Sequence, residues 1–207
     1  MNFHSLTVRQ ITPETADTVT IEFEVPTELR DTFRFKAGQH LTVRLPLDGH
    51  EVRRSYSMSA APHEKSLAIT VKKVPGGKVS TYLHDWLRAG ATLDVAPPEG
   101  RFTIPLDPEK RRTYFLFAAG SGITPVISIA KEVLEAEPMS TIYLLYGSRD
   151  EENIIFKQAL DRLAERYHGQ MHVEYMLSKP KKEGGGGLFS FFKKSTSNWQ
   201  GKTGRID

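Results

Sequence analysis

Apolar and polar side chains alternate with a period of two residues through the first half of the chain. Apolar residues at 19, 21, 23 and 25 alternate with polar ones, and the alternation recurs over residues 41–47. Successive side chains of a β-strand point to opposite faces, so this pattern predicts half-buried antiparallel strands. We expect six strands, over residues 3–10, 19–25, 41–47, 51–58, 66–74 and 92–96. Their number and their glycine, proline and aspartate punctuation predict a small antiparallel β-barrel or sandwich.

Two local signals lie within this half. The dipeptide Asp48-Gly49 stands between two predicted strands and favours the positive φ angles of a type I′ hairpin. Apolar residues at 79, 82, 83, 86 and 87 follow helical spacing instead, which predicts an amphipathic helix that ends near Gly90. Two glycines, Gly76 and Gly77, stand directly before that helix.

The pattern changes after residue 108 to an alternation of strands and helices. Apolar segments predict strands over residues 114–119, 141–146 and 171–177, and the segments 125–135 and 151–167 have the pattern of helices. This βαβαβ order is typical of half of a doubly wound parallel sheet. We therefore expect an antiparallel β domain over residues 1–107 and an incomplete α/β domain over residues 108–207, with a flexible insertion over residues 179–200.

Composition narrows the possible classes of protein. The 207 residues are 39% hydrophobic and include no cysteine, which excludes disulfides, thiolate zinc sites and a cysteine-ligated iron–sulfur cluster within these residues. The longest apolar segments are shorter than the ~18 residues expected of a membrane-spanning helix. The polar start of the chain does not have the pattern of a signal peptide. A globular cytoplasmic protein without a membrane span is the expectation.

The net charge of +3 is unevenly distributed along the chain. Residues 179–207 include seven basic side chains but only two acidic ones, so the preceding part carries a small negative charge. A basic segment that contains four consecutive glycines is typical of a loop or linker, and nucleic-acid binding is not expected. Leu188 and the phenylalanines at 189, 191 and 192 lie between lysines there. They leave two hypotheses open, a segment that docks on a partner or a membrane surface, and a mobile surface insertion.

A glycine-rich loop follows the first predicted parallel strand. Residues 120–125 read Gly-Ser-Gly-Ile-Thr-Pro. In open parallel sheets, ligands bind where strands end and helices begin, and the two glycines permit the close approach of a pyrophosphate. Thr124 is a suitable helix cap and Pro125 a suitable first helical residue. The third glycine of a dinucleotide fingerprint is replaced by Pro125, so an ordinary strand-to-helix turn is the alternative interpretation.

The ends of the other two parallel strands carry basic and hydroxyl side chains. Arg149 follows the second strand, where an acidic residue would bind a ribose 2′-hydroxyl, and Ser178 and Lys179 follow the third. Side chains of these types are suited to a 2′-phosphate, which favours NADP over NAD. The alternative is that they are ordinary surface residues at loop tips.

The β domain contains a second candidate site for an anion. Residues 76–80 read Gly-Gly-Lys-Val-Ser before a helix, and residues 53–57, Arg-Arg-Ser-Tyr-Ser, combine cations, an aromatic plane and hydroxyls. With a nucleotide loop in the next domain, these groups predict a second ligand that is planar and carries phosphate.

These motifs resemble those of the ferredoxin–NADP reductase superfamily over nearly the whole chain. Residues 54–57 resemble its R-x-Y-S flavin motif, residues 77–80 its G-x-x-S pyrophosphate motif, and residues 120–125 its G-x-G-x-x-P nicotinamide loop. Further similarity, at residues 72–74, 76–80 and 204–207, is to the reductase components of phenylacetyl-CoA ring-oxygenase systems.

The resemblance implies FAD and NADPH or NADH as cofactors and assigns roles to individual residues. Tyr56, Ser57 and Thr124 would lie at the reacting centre, with Tyr56 against the flavin ring and Ser57 near flavin N5. The implied cofactor-binding residues are Arg54, Ser55, Tyr56, Ser57, Thr70, Val71, Lys72, Gly77, Lys78, Val79, Ser80, Gly120, Ser121, Gly122, Thr124, Arg149, Ser178 and Lys179. A bound metal is not expected in this chain.

The resemblance also implies an electron-transfer reaction and partners. NAD(P)H would donate a hydride to FAD, and single electrons would pass to an iron–sulfur centre and then to an oxygenase of phenylacetate degradation. The alternative is a flavin-binding electron-relay or regulatory subunit without a productive nicotinamide site. Family members continue with two more strands, a C-G-P motif and, in the most similar subfamily, a [2Fe-2S] domain. We therefore expect a C-terminally truncated chain in which the strand over residues 114–119 is an unprotected apolar edge.

Two other patterns are weaker. Ser128 and Lys131 have the S-x-x-K spacing of penicillin-recognising enzymes, and residues 202–204 read Lys-Thr-Gly, but the S-D-N element of that family is absent. His168 and His172 are four residues apart, although Gly169 between them makes a shared helical face and a metal site improbable.

Overall fold

The computed structural model describes residues 2–181 and 199–206. Most of the predicted insertion over residues 179–200 lies outside this part of the chain. The hypotheses for Leu188 and the neighbouring phenylalanines therefore concern residues outside the described ranges.

The first half forms a six-stranded antiparallel sheet, as its period-two pattern predicts. The strands are β1 (His4–Thr15), β2 (Thr18–Glu24), β3 (His40–Leu47), β4 (His50–Ser57), β5 (Leu67–Lys72) and β6 (Thr92–Val95), in the order β4-β3-β6-β1-β2-β5. Met58, just after β4, bridges to Ile69 of β5, so the two outer strands meet and the sheet closes as a barrel. Leu6, Ile21 and Leu41 are completely buried inside it.

The hairpin and the helix of the barrel largely follow their sequence signals. Asp48 and Gly49 have φ angles of 53° and 75°, as a type I′ turn requires. Helix α1 (Lys78–Thr81) continues into a π-helical turn (Tyr82–Trp86), so the predicted helix ends earlier than Gly90. Its apolar stripe buries Leu83 in the barrel, but Trp86 is 71% exposed.

The second half forms a parallel sheet. Its strands are β7 (Thr113–Ala119), β8 (Thr141–Ser148), β9 (Met171–Leu177) and β10 (Lys202–Thr203), in the order β10-β9-β8-β7, and its helices are α2 (Ile123–Ala136) and α3 (Lys157–Arg166). The predicted fold class is therefore confirmed. The two-residue strand β10 was not predicted, because so short a segment has no readable period. Short 3₁₀ turns cover Thr27–Leu29, Pro62–Glu64, Gly120–Gly122 and Glu151–Asn153.

The predicted helix over residues 151–167 is wrong at its start. Asp150 accepts a hydrogen bond from the Asn153 amide at 3.2 Å and caps a 3₁₀ turn there. Phe156 then has a φ of 61°, which breaks the backbone before α3 begins at Lys157. Ile154, Ile155 and Phe156 follow this turn and are buried, so their apolar side chains imitate the pattern of a longer helix.

Only one face of the parallel sheet is covered by the described helices. Helices α2 and α3 share one apolar core with Leu116, Ile142 and Leu144 and their neighbours. On the opposite face Phe115 and Phe117 are 66% and 62% exposed, and the ring of Tyr143 stacks on Phe115 at 5.6 Å between centroids. Strand β7 pairs with β8 alone among the described strands, as expected for an apolar edge.

Among the described residues, no helix has the length and apolar character needed to cross a membrane.

Candidate functional site

A cavity of about 640 Å³ lies where the barrel meets the parallel-sheet unit. From the barrel it is lined by predicted site residues of β4, β5 and the α1 region, namely Arg54, Ser55, Tyr56, Ser57, Thr70, Lys72, Gly77, Lys78, Val79 and Ser80. From the other unit it is lined by Ser121 and Thr124. Segments far apart in sequence thus contribute to one cavity.

Strand β4 supplies the aromatic plane. Tyr56 pairs with Leu41 of β3 and packs partly against the barrel core. This burial raises the pKa of the Tyr56 phenol, an effect that the positive charge of Arg54 opposes. The phenol therefore stays protonated at neutral pH. The hydroxyl of Ser55 is fixed by a 2.9 Å hydrogen bond with Thr42.

Strand β5 supplies a hydroxyl and a cation at the adjacent wall. The hydroxyls of Thr70 and Thr20 are 2.8 Å apart. Lys72 lies 3.4 Å from the carboxylate of Asp17. Burial acts against the charge of Asp17, but hydrogen bonds from neighbouring threonines together with Lys72 hold the pKa of Asp17 below its usual value. The side chain of Val71 is completely buried in the barrel core, so only its backbone is available to a ligand.

The loop before α1 is shaped by its two glycines. Gly76 has a φ of 73°. A Cβ on Gly77 would lie 2.5 Å from a methyl group of Val74 and 2.6 Å from the Ser80 hydroxyl, closer than atoms can approach. That hydroxyl donates to the Gly77 carbonyl at 3.0 Å and accepts from the Val74 amide at 3.2 Å. The sequence Gly-Gly-x-x-Ser thus encodes a tight, internally bonded loop.

Lys78 extends from this loop and forms an ion pair with Asp48 at the tip of the β3–β4 hairpin. The hydrogen bond and the charge of Asp48 raise the pKa of the Lys78 ammonium. The lysine is therefore charged at the rim of the cavity, where Asp48 holds it. Sequence analysis assigned Asp48 to the turn alone and missed this contact.

The glycine loop after β7 differs from its prediction at the start of the helix. Residues Gly120–Gly122 form a 3₁₀ turn and α2 begins at Ile123. Thr124 therefore lies inside the helix and is not its cap, and Pro125 is its third residue and not its first. Its hydroxyl donates to the Ser121 carbonyl at 2.9 Å. A Cβ on Gly120 or Gly122 would meet no atom within 4 Å, which leaves open space beside the turn.

Tyr146 of β8 holds this turn in place. Its ring is completely buried, and its hydroxyl donates to the Gly120 carbonyl at 3.0 Å and accepts from the Ile155 amide at 3.2 Å. Burial raises the pKa of the phenol beyond its ordinary range, which keeps the proton that Gly120 accepts. Sequence analysis missed Tyr146, because a tyrosine in a strand gives no signal of the backbone that its hydroxyl reaches.

The third group of predicted residues lies at the carboxyl edge of β8 and β9, outside the cavity lining. The Ser178 amide donates to the Ser148 carbonyl at 2.9 Å, and the Lys179 amide donates to the Arg149 carbonyl at 2.7 Å, so the two strand ends are adjacent. Arg149 is mostly exposed and bonds through Nε to buried Asp150 at 3.0 Å. The backbone pairing therefore brings Arg149 and Lys179 to one edge of the sheet.

Two oxidoreductase family models match the chain. The oxidoreductase FAD-binding domain matches residues 5–104, and the oxidoreductase NAD-binding domain matches residues 116–207. The chain belongs to the ferredoxin–NADP reductase superfamily. It therefore carries the FAD- and NAD-binding domains of an FAD-dependent NAD(P)H oxidoreductase, and the cofactors expected from its motifs are confirmed.

Several superfamily members are similar to this chain. A component of the 1,2-phenylacetyl-CoA epoxidase of Escherichia coli K12 is 40% identical over 86% of this chain and 50% of that protein. The ferredoxin reductase component of the 3-ketosteroid-9-alpha-monooxygenase of Rhodococcus rhodochrous is 43% identical over 83% of this chain and 48% of that protein. The chain spans about half the length of these relatives.

A solved structure has the same fold. The CS-b5R domains of human Ncb5or in the NAD⁺ form superimpose with a TM-score of 0.76 and 26% identity, over 99% of this chain and 56% of that one. The agreement extends over both sheets, which supports the relative arrangement of barrel and parallel sheet around the cavity.

Proposed function

We propose that this chain is the FAD- and nicotinamide-binding part of a reductase that takes a hydride from NAD(P)H and passes electrons on singly. The observation that carries the proposal is the single cavity lined by both the R-x-Y-S strand and the glycine-loop residues Ser121 and Thr124. Bound FAD supplies the conversion between two-electron hydride transfer and one-electron steps. We further propose domain boundaries of 1–107 and 108–207.

The residues that line the cavity suit the parts of FAD. The Tyr56 ring offers a flat apolar face for the flavin, and Ser57 at the end of β4 offers a hydroxyl near its N5. Arg54, Lys78 and the Gly77–Ser80 segment offer charged and polar donors for the diphosphate. We assign Thr70, Lys72 and the backbone of Val71 to the flavin edge.

Ser121 and Thr124 are proposed to contact the nicotinamide. Because they share the cavity with Tyr56 and Ser57, a donor bound on the loop would meet a flavin bound on the barrel. Closeness of this kind favours a reductase over a flavin-binding relay without a productive nicotinamide site. We propose NADPH as the preferred donor, because Arg149, Ser178 and Lys179 offer positive charge and a hydroxyl at one sheet edge.

The names of the two relatives suggest the electron acceptor. One is a component of a phenylacetyl-CoA epoxidase and the other is a ferredoxin reductase component of a monooxygenase. We propose that this chain likewise supplies an oxygenase, through an iron–sulfur centre outside these residues, in phenylacetate degradation. A cytoplasmic location belongs to the same proposal, since the electron donor is a soluble cofactor.

The test is anaerobic reduction of the purified chain. Protein loaded with FAD is mixed with NADPH or NADH, and the flavin absorbance is followed. Bleaching is the expected result. A yellow protein that stays oxidised supports the relay alternative, and a chain that takes up no added FAD contradicts both functions.

A further inference from the structure

Helix α2 is hydrogen-bonded to the barrel segment that directly follows β4. Ser128, which is completely buried, donates its hydroxyl to the Ala60 carbonyl at 2.6 Å. Lys131 donates to the neighbouring Ser59 carbonyl at 3.4 Å and to Glu64 at 3.0 Å. Ser128 and Lys131 form the S-x-x-K pattern noted in the sequence, and the proposed function gives them no role in the reaction. One turn of α2 thus reaches two consecutive carbonyls of the barrel.

Both sides of this contact are fixed within their own units. On the barrel side, the Ser59 amide donates to the Ala68 carbonyl at 2.9 Å, and Glu64 accepts from the Ala61 amide at 2.8 Å. On the other side, α2 packs on β7 and β8 in the core of the parallel-sheet unit. The contact therefore joins α2 to a barrel segment that hydrogen bonds hold to β5 and to its own 3₁₀ turn.

The contact is also close to the candidate site on both sides. Ala60 follows Ser57 by three residues, and Ser128 follows Thr124 by four, which is about 6 Å along a helix axis. Ser57 and Thr124 both line the cavity, whereas Ser128 and Lys131 do not. A short path therefore sets the distance between β4 and the glycine loop. It runs from Ser57 to Ala60, across the hydrogen bond to Ser128 and along one turn of α2 to Thr124.

We infer that Ser128 and Lys131 are positioning residues that set the distance of the glycine loop from β4. This inference rests on the proposed function, because the distance matters only when a nicotinamide donor meets a flavin in the cavity. Hydride donor and acceptor must approach to about 3–3.5 Å, and an error of about 1 Å costs about a hundredfold in rate. Loss of the contact therefore slows hydride transfer and leaves each cofactor's own contacts in place.

The test compares Ser128→Ala with Ser140→Ala in the full chain. Ser140 is a matched control, since it is also buried and donates its hydroxyl to Glu137 at 2.8 Å, and neither residue lines the cavity. In S128A we expect the limiting rate of anaerobic flavin reduction to fall by about tenfold or more, with unchanged dissociation constants for FAD and NADP⁺. S140A is expected to keep the wild-type rate. Lys131→Met should lower the rate of flavin reduction as S128A does. Lys131→Arg keeps a charged donor and should keep most of the wild-type rate.

A second readout is independent of activity. Backbone amides of the non-proline residues in 59–64 and 121–125 should exchange hydrogen for deuterium faster in S128A than in the wild type, with no such change in S140A. An unchanged reduction rate, or unchanged exchange in both segments, overturns the inference. A wild-type chain that holds FAD but is not reduced by NAD(P)H contradicts the proposed function and the positioning role together, and exchange then still reports whether the contact exists.

Discussion

The candidate site consists of side chains that the barrel already holds in place. Ser80 is bonded on both sides, Ser55 bonds Thr42, and Tyr56 is packed against the core. Groups that are fixed before a ligand arrives lose little freedom on binding, so more of their interaction energy contributes to affinity. Single substitutions here should therefore change affinity with small effects on folding.

The first prediction concerns Tyr56. Tyr56→Ala removes a stacking face worth about 1 kcal/mol or more, so the dissociation constant of FAD should rise by about fivefold or more. Fluorescence titration and flavin occupancy after gel filtration measure it. Tyr143→Ala is the control, because that ring lies on the exposed sheet face, outside the cavity. FAD occupancy equal to the wild type in the Tyr56 variant would refute the assignment.

The second prediction concerns the 2′-phosphate. Lys179→Ala should weaken binding of 2′-phospho-AMP by about tenfold and change the binding of AMP little, since one charged contact is lost. Calorimetry on the chain measures both without any need for turnover. Lys181→Ala is the control, because Lys181 lies two residues after Lys179 and pairs with Glu152. Equal losses for the two nucleotides would move the proposal to NAD.

The third prediction concerns Tyr146. Tyr146→Phe leaves the Gly120 carbonyl and the Ile155 amide without their buried partner, which costs about 1–3 kcal/mol of folding free energy. We also expect weaker binding of NADP⁺, since the turn beside Ser121 loses its support. Thermal unfolding and NADP⁺ titration are the measurements. Tyr167→Phe is the control, because its exposed hydroxyl lies 3.4 Å from Glu135. It should leave stability and NADP⁺ affinity unchanged, and equal effects in the two variants would count against the role of Tyr146.

At the level of elements, residue patterns predicted what depends on local period and missed what depends on distant partners. The six antiparallel strands and the βαβαβ order are readable because each element buries one face or stripe. The start of α3 was not readable from the sequence, because the φ of 61° at Phe156 is imposed by packing and not by its residue type. For the same reason the gathering of β4, the α1 region and the glycine loop into one cavity followed from family motifs and not from spacing.

The fourth prediction concerns the segment that links the two sheets. Glu137, at the end of α2, is completely buried and accepts hydrogen bonds from the Asp107 amide at 2.9 Å and from Tyr114 at 2.9 Å. Burial acts against its charge, but these bonds and the one from Ser140 hold the pKa of Glu137 below its ordinary value. Glu137→Gln should lower the free energy of unfolding at pH 7 by about 1–3 kcal/mol.

The pH dependence of this effect has a definite sign. A lowered folded-state pKa stabilises the protein above the unfolded value of about 4.3, and this stabilisation is lost as the pH falls through the folded value. The difference between wild type and E137Q should therefore shrink below about pH 4, as measured by urea unfolding. Glu135→Gln, an exposed change on the same helix, is the control. A difference that is constant with pH would contradict the charged-state explanation.

At the scale of the whole molecule, the two sheets meet solvent differently. The barrel is closed on itself, whereas the parallel sheet exposes Phe115, Phe117 and part of Tyr143 beside the edge of β7 that no described strand covers. Apolar faces and open strand edges of this kind promote association between chains.

The fifth prediction follows from that face. The chain should bind an apolar dye such as anilinonaphthalene sulfonate and associate at high concentration, and Phe117→Lys should reduce both, since a lysine on an edge strand disfavours pairing. Dye fluorescence and analytical ultracentrifugation measure them. Phe102→Lys is the matched control, as both phenylalanines are 62% exposed but Phe102 lies outside β7. Equal reductions by the two variants would contradict the role of the sheet face.

The strand order has a further consequence that concerns handedness. From β7 to β9, each strand is added on the same side of the one before it, and both helices cross on the same face, as right-handed crossovers require. A segment that left β10 and paired in parallel with β7 would travel in the opposite direction across the sheet. The same chirality would then send its connection over the other face, above the stacked rings of Phe115 and Tyr143.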